Sequence, residues 1–195
     1  MTPEIDARAR GLRLLLFDVD GVMTDGRILL HSDGTESKQF HIRDGTALVW
    51  ARRVGLLTGL LSARSSASTA LRAQQLGIPI VKQGVEDKLS AYDAILAEYG
   101  LTDDQVSFMG DDVLDLPVLG RVGLSCAPAD AVPDVRSRVH WVSKMRGGEG
   151  AIRELVDAVL RAQGHWEGLL ASYLPAEPLT PALSPQAGRG SRETR

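Results

Sequence analysis

Leu12-Arg13-Leu14-Leu15-Leu16-Phe17-Asp18-Val19-Asp20-Gly21 is the stretch that decides how this chain folds. The apolar run from Leu12 to Phe17 reads as a strand buried on both faces, as in a parallel sheet covered by helices. Two carboxylates follow at its carboxyl end, where open α/β sheets bind their ligands. At that edge one carboxylate can attack or hold a metal while the other moves a proton.

Outward from this strand, strand-like and helix-like patterns alternate. This predicts an α/β fold with a doubly wound, mostly parallel sheet flanked by helices. Strands are expected at 55–61, 80–81 and 106–109, and more weakly near Leu124 and Trp141. Helices are expected at 45–53, 65–76, 88–99 and 150–163, with stops at Gly77, Pro79 and Gly100. Before the first helix, Asp33-Gly34 joins two extended segments, which predicts a β-hairpin at about 27–42. Ile28 and Leu30 share one parity, as do Phe40 and Ile42, so one face of the ribbon is apolar. A two-stranded ribbon does not stand alone in water. Packing on the parent domain and packing on another subunit are both open at this point.

The chain has 195 residues, 44% of them hydrophobic, and a formal net charge of -3. This suits one soluble domain with a full core and argues against a generic nucleic-acid binder. Cys126 is the single cysteine, which excludes an intramolecular disulfide and argues against a structural zinc site. Residues 1–11 are charged and lack the apolar core of a signal peptide. The longest apolar stretch, around 54–63, is too short to span a bilayer. We expect a cytoplasmic protein with no membrane or nucleic-acid partner. The expected organisation is an N-terminal extension at 1–11, a single domain at 12–172 and a disordered Pro- and Gly-rich tail at 173–195.

Asp18 with Asp20, Ser62, Lys88, and Asp111 with Asp112 and Asp115 all stand at or just after expected strand ends or turns. Parallel strands point their carboxyl ends to one edge, so these groups are expected to converge. Carboxylates, a hydroxyl and a lysine suit phosphoryl transfer. A phosphate needs cationic and donor contacts, and a carboxylate-bound Mg²⁺ offsets charge repulsion. A carboxylate nucleophile forms an aspartyl-phosphate and splits hydrolysis into two steps. A second carboxylate can protonate the leaving alcohol and then deprotonate the attacking water.

The order Asp18-x-Asp20-Gly21, Ser62, Lys88 and Gly110-Asp111-Asp112-x-x-Asp115 resembles the haloacid dehalogenase superfamily of phosphatases over about 12–163. The resemblance implies the Rossmann-like fold of that superfamily, with Asp18 as nucleophile and Asp20 as general acid and base. It implies that Ser62 and Lys88 hold the transferring phosphoryl group. Mg²⁺ would be ligated by Asp18, the Asp20 backbone carbonyl and Asp111, with Asp112 supporting the metal site.

A narrower likeness is to the phosphatases of 3-deoxy-D-manno-octulosonate 8-phosphate in lipopolysaccharide sugar biosynthesis. It lies in Phe17 to Gly26, Arg43-Asp44-Gly45, Leu61-Ser62-Ala63-Arg64, Asp115-Leu116-Pro117 and Gly147-Gly148-Glu149-Gly150-Ala151-Ile152-Arg153-Glu154. That group has no large cap, and the interval from Asp20 to Ser62 leaves room only for the hairpin and one helix. In the group, hairpins assemble a homotetramer and a neighbouring subunit helps close the active site. Substrate contacts implied by the likeness are Asp20, His41, Ile42, Arg43, Asp44, Gly45, Arg64, Arg72 and Lys88; guanidinium forks suit a sugar acid phosphate. Two residues depart from the pattern, because Ala47 and Ala63 stand where the group usually has Gly. Ala63 is tolerable if its φ is negative, whereas Ala47 is expected nearer the sugar and keeps a nine-carbon ulosonate 9-phosphate open as substrate.

Each motif also has a plainer reading. Asp18-x-Asp20-Gly21 alone resembles a calcium-loop fragment or the metal site of a sugar-nucleotide transferase, although the Gly falls too early for an EF-hand. Ser62 alone reads as a helix N-cap, Lys88 as a solvated lysine and Asp115 as a first-turn acid favoured by the helix dipole. A phospho-accepting signalling module uses similar groups. Its acidic pair precedes the phosphorylated Asp, however, and it has no acid two residues after that Asp. An inactive structural partner would have lost motif residues, and here all are intact.

Overall fold

The strand at the centre of the molecule, β1 (Leu14–Phe17), is buried along its whole length. The computed structural model describes residues 2–174, so the expected disordered tail lies outside the described residues apart from its first two positions. In chain order, helix α1 (Pro3–Arg10) precedes β1, and the hairpin β2 (Leu29–Leu30) and β3 (Glu36–Ser37) follows it. Then come α2 (Ile42–Arg53), β4 (Leu57–Leu61), α3 (Ala67–Leu76), β5 (Ile80–Lys82), α4 (Lys88–Tyr99) and β6 (Val106–Met109). The chain continues through α5 (Leu116–Leu119), β7 (Leu124–Ala127), α6 (Pro133–Arg136), β8 (Trp141–Val142), α7 (Ala151–Ala162) and α8 (Trp166–Ala171).

The main sheet has the order β5-β4-β1-β6-β7-β8, and every neighbouring pair is parallel. From β1 the chain builds outward through β4 and β5, then crosses back to β6 and builds the other way. The strand order therefore reverses between β1 and β6, and Asp18 stands at that switch point, where open α/β sheets form their binding crevice. Alternation along β1 divides the core. Leu15 and Phe17 join a cluster with Leu48, Leu155 and Val159, and Leu14 and Leu16 join one with Tyr92, Ile95 and Val118.

Four helices escape the sequence pattern: α1, α8 and the four-residue α5 and α6. In α1 only Ile5 and Ala9 are buried, with Arg8–Glu4 and Arg10–Asp6 pairs outside. Its signal is a capping Thr2 and Pro3 at the first turn rather than an apolar stripe, so the expected extension at 1–11 is a docked helix. Helix α8 is a short one that buries Trp166 and Leu169. Helix α2 begins at Ile42 rather than at Gly45, which shortens the hairpin. Leu29 and Leu30 are 62% and 73% exposed, whereas Phe40 packs against the core, so the apolar ribbon is covered on its own domain only at that end. Among the described residues no helix is long and apolar enough to cross a membrane.

Candidate active site

Backbone ladders set the strand ends in one row. The Asp18 amide donates to the Met109 carbonyl (3.0 Å), that of Ser62 to Lys82 (2.9 Å) and that of Gly110 to Cys126 (3.1 Å). Along that edge Asp18, Asp20, Ser62, Ala63, Arg64, Lys88, Asp111, Asp112, Leu114 and Asp115 line one cleft. The convergence expected from the sequence is therefore present.

Lys88 is the first residue of α4, which its N-cap Asp87 starts by accepting from the amides of Leu89 and Ser90. The buried ammonium lies 3.1 Å from Asp18 Oδ1 and 2.6 Å from Asp115 Oδ1. Burial works against its charge, but Asp18 and Asp115 outweigh that and hold the ammonium above its ordinary pKa. The second oxygen of Asp115 accepts from the amides of Asp111 (2.9 Å) and Asp112 (3.3 Å). Asp115 is thus no exposed first-turn acid. It is fully buried and ties Lys88 to the acidic turn.

Ser62 is buried, and its hydroxyl oxygen accepts from the Arg64 amide at 3.3 Å. It tightens the loop after β4 and does not cap α3, whose N-cap position is Ser66. No residue other than Gly has positive φ among the described residues, so Ala63 sits there without backbone strain. Gly21 has φ of +92°, and a Cβ on it would collide with the Asp111 carboxylate. The glycine after Asp20 lets the two acidic motifs touch.

The hairpin adds groups that the sequence reading did not single out. Lys38 follows β3, its side chain is 0% exposed, and its ammonium lies 2.6 Å from Asp20 Oδ1 and 3.9 Å from Glu36 Oε1. Arg64 reaches Glu36 Oε2 at 3.0 Å and Asp20 Oδ2 at 3.7 Å. The available signal was parity, because Lys38 shares that of Phe40, which packs against the core.

Of the other residues expected around a substrate, none but Arg64 lines this cleft. His41 borders a second hollow with Asp25, Gln39, Phe40, Gly148 and Glu149. Ile42 and Arg43 are exposed on the first turn of α2, and the Arg72 guanidinium lies over Gly45. Asp44 is buried and accepts from the amides of Gly150 (3.2 Å) and Arg153 (2.7 Å), so it caps α7 from a distance. Burial raises its carboxyl above the usual range, while the two amides pull the other way. Ala47 is 0% exposed and packs in the core. This corrects its expected place near the sugar, because its face of α2 turns to the sheet.

Carboxylate oxygens of Asp18, Asp111 and Asp115 lie within 4.8 Å of one another. Burial, and next the Asp115 charge, push Asp18 up to about 6 although Lys88 opposes this. Burial, then Asp18, Asp115 and Asp112, push Asp111 up to about 8. Asp111 Oδ1 is buried without a hydrogen-bond partner. One lysine does not neutralise this crowd, and an all-oxygen donor set suits a hard divalent cation such as Mg²⁺. Asp115 belongs to the cluster by distance, but Lys88 and the two amides occupy its oxygens, and Lys88 and the Val19 amide hold Asp18 Oδ1, which leaves Asp18 Oδ2 and the Asp111 carboxylate open to a cation. Asp112 is exposed and accepts from the Val113 amide at 2.6 Å, shaping the turn.

Residues 57–155 match the haloacid dehalogenase-like hydrolase family model. A 3-deoxy-D-manno-octulosonate 8-phosphate phosphatase of Yersinia pestis is 41% identical over 165 residues, covering 85% of this chain and 88% of the relative. The Escherichia coli K12 phosphatase of the same name is 37% identical over 164 residues, covering 84% and 87%. The crystal structure of the Moraxella catarrhalis phosphatase, in complex with magnesium, phosphate and a KDO molecule, superposes with a TM-score of 0.87. It is 31% identical and covers 89% of this chain and 100% of that one. The chain belongs to the haloacid dehalogenase-like hydrolase family.

Proposed function

We propose that the protein is a Mg²⁺-dependent phosphomonoesterase that hydrolyses 3-deoxy-D-manno-octulosonate 8-phosphate to the free sugar acid and phosphate, in lipopolysaccharide sugar biosynthesis. The observation that carries this function is the Lys88 ammonium 3.1 Å from Asp18, in a cleft shared with Asp20, Ser62 and Asp111. The substrate follows the relatives that match along most of the chain. Ala47 no longer favours the nine-carbon ulosonate, because it is buried in the core.

An Asp18 oxygen attacks phosphorus as the ester P–O bond breaks, giving an acyl phosphate. Lys88 and the Ser62 hydroxyl donate to the phosphoryl oxygens, and Asp20 gives its proton to the departing alcohol. Asp20 then takes a proton from the water that attacks the acyl phosphate. Asp18, the Asp20 backbone carbonyl and Asp111 would hold Mg²⁺, with Asp112 in support. When bound, the cation supplies positive charge against the repulsion between carboxylate and phosphate.

The chemistry sits in one catalytic domain at 12–172, without a large cap. Substrate reading falls to Arg64 in the cleft, to His41, Ile42, Arg43 and Gly45 at the start of α2, which Asp44 fastens to α7, and to Arg72 on α3. Exposed Leu29 and Leu30 support a homotetramer built through the hairpin, which light scattering on the purified chain tests by mass. The expected location is the cytoplasm.

Purified protein should release phosphate from 3-deoxy-D-manno-octulosonate 8-phosphate only with a divalent cation, and Asp18→Asn should abolish turnover. Full activity in that variant overturns the mechanism. A long-lived phosphoaspartate at Asp18 without turnover would point instead to a phospho-accepting module.

A further inference from the structure

We propose that Lys38 is the positioning residue of the proton donor, fixing one oxygen of Asp20 on the hairpin so that the other carries the proton. This rests on Asp20 being the general acid and base. A lysine side chain is almost never fully buried without a partner, yet that of Lys38 is 0% exposed. Its nearest acid is Asp20, at 2.6 Å from Oδ1, and Glu36 stands farther off at 3.9 Å. Taking an ammonium out of water is costly, so the pair is strongly favoured over any rotamer of Asp20 that abandons it.

The choice of oxygen follows from the chemistry of the donor. An ammonium has three donors and no acceptor. Asp20 Oδ1 must therefore remain an acceptor toward Lys38, which leaves Oδ2 as the only oxygen able to hold a proton without facing N–H. Asp20 Oδ2 is buried and has no hydrogen-bond partner. Arg64 Nε stands 3.7 Å from it, and Arg64 makes its closer contact to Glu36 at 3.0 Å. Glu36 thereby keeps the guanidinium from taking the second oxygen.

As the Asp18–phosphorus bond forms and the ester P–O bond breaks, the Oδ2 proton moves to the departing alcohol oxygen. Its bonding electrons stay on Asp20 as a carboxylate, which Lys38 pairs. In the second half the attacking water gives a proton back to Oδ2 as its oxygen bonds phosphorus and the Asp18–phosphorus bond breaks.

The test uses the leaving group. An alkyl alcohol needs the proton and 4-nitrophenolate does not, and kcat/KM covers only the steps up to the acyl phosphate. On the sugar acid phosphate, Lys38→Met should lower kcat/KM by about 10- to 100-fold. On 4-nitrophenyl phosphate the loss should stay under about threefold. Asp20→Asn is the reference and should show the same selectivity more strongly. Equal losses on both esters, or no loss, for Lys38→Met beside a selective Asp20→Asn overturn the assignment of Lys38 alone. An unselective Asp20→Asn overturns the role of Asp20 and the inference with it. Should Lys38→Met not fold, Lys38→Gln decides by the same ratio.

Discussion

The Lys88 ammonium is closer to Asp115 (2.6 Å) than to Asp18 (3.1 Å). Asp115 also holds the amides of Asp111 and Asp112 with its other oxygen, so one buried carboxylate joins Lys88 to the acidic turn. Asp115→Ala should lower stability by about 3 kcal/mol, the lower end for a broken buried pair because Lys88 keeps Asp18. Urea unfolding measures this, and kcat should fall by about tenfold or more as Lys88 swings and the turn loosens. Unchanged stability would remove Asp115 from this role.

The acidic cluster predicts how stability responds to pH and magnesium. Burial, next neighbouring carboxylates, raise Asp18 to about 6 and Asp111 to about 8, above their ordinary value of 3.8. Between that value and the raised ones the folded protein binds more protons than the unfolded chain. These two groups therefore lower the stability of metal-free protein as pH rises through that window. Magnesium competes with those protons, so the rise in Tm on adding it should be larger at about pH 8 than at about pH 5. Thermal scans of metal-free and magnesium-loaded protein check this, and an increment that is flat with pH would contradict it.

A methyl group should break the contact between the late glycine loop and the loop after β1. A Cβ on Gly147 would collide with the Gly21 carbonyl oxygen, and its backbone does not have positive φ, so space alone forbids it. Gly147→Ala should cost about 1–3 kcal/mol by overpacking. It should also lower kcat, because displacing Gly21 moves Asp20 and opens the approach to Asp111. A crystal structure or chemical denaturation of the variant would reveal an unstrained fit if this is wrong.

Asp44 should behave as a structural cap. Losing its carboxylate strands the buried amides of Gly150 and Arg153, and Asp44→Ala should destabilise by about 1–3 kcal/mol. A large rise in KM at unchanged stability would instead give Asp44 a direct substrate contact.

Chemistry carried by periodicity was legible in the sequence. Asp18, Ser62 and Asp111 follow strand-like runs, and a parallel sheet delivers all such ends to one edge, so a linear reading found the cleft. Lys88 was legible because it opens an amphipathic helix between two of these motifs. Lys38 was missed for a physical reason: it lies in an irregular segment after a two-residue strand, and its burial depends on Asp20 arriving from the loop after β1. Asp44 and Ala47 were placed near the substrate because motif order says which residues are neighbours in sequence. It does not say which way a helix turns them. Helix α1 hid because capping and ion pairs, rather than an apolar stripe, define it.

Strands β4, β1 and β6 are hydrogen-bonded neighbours, so Ser62, Asp18 and Asp111 are held in register by the ladder itself. The hairpin has only two paired positions and fastens to the cleft by Lys38 and Arg64. Segments with so few backbone bonds open well below the global unfolding free energy. On warming, the Lys38 anchor of Asp20 should loosen while Asp18 and its row remain aligned. The enzyme would then lose its power over poor leaving groups first, and turn into a cruder phosphatase before the sheet melts and all activity ends.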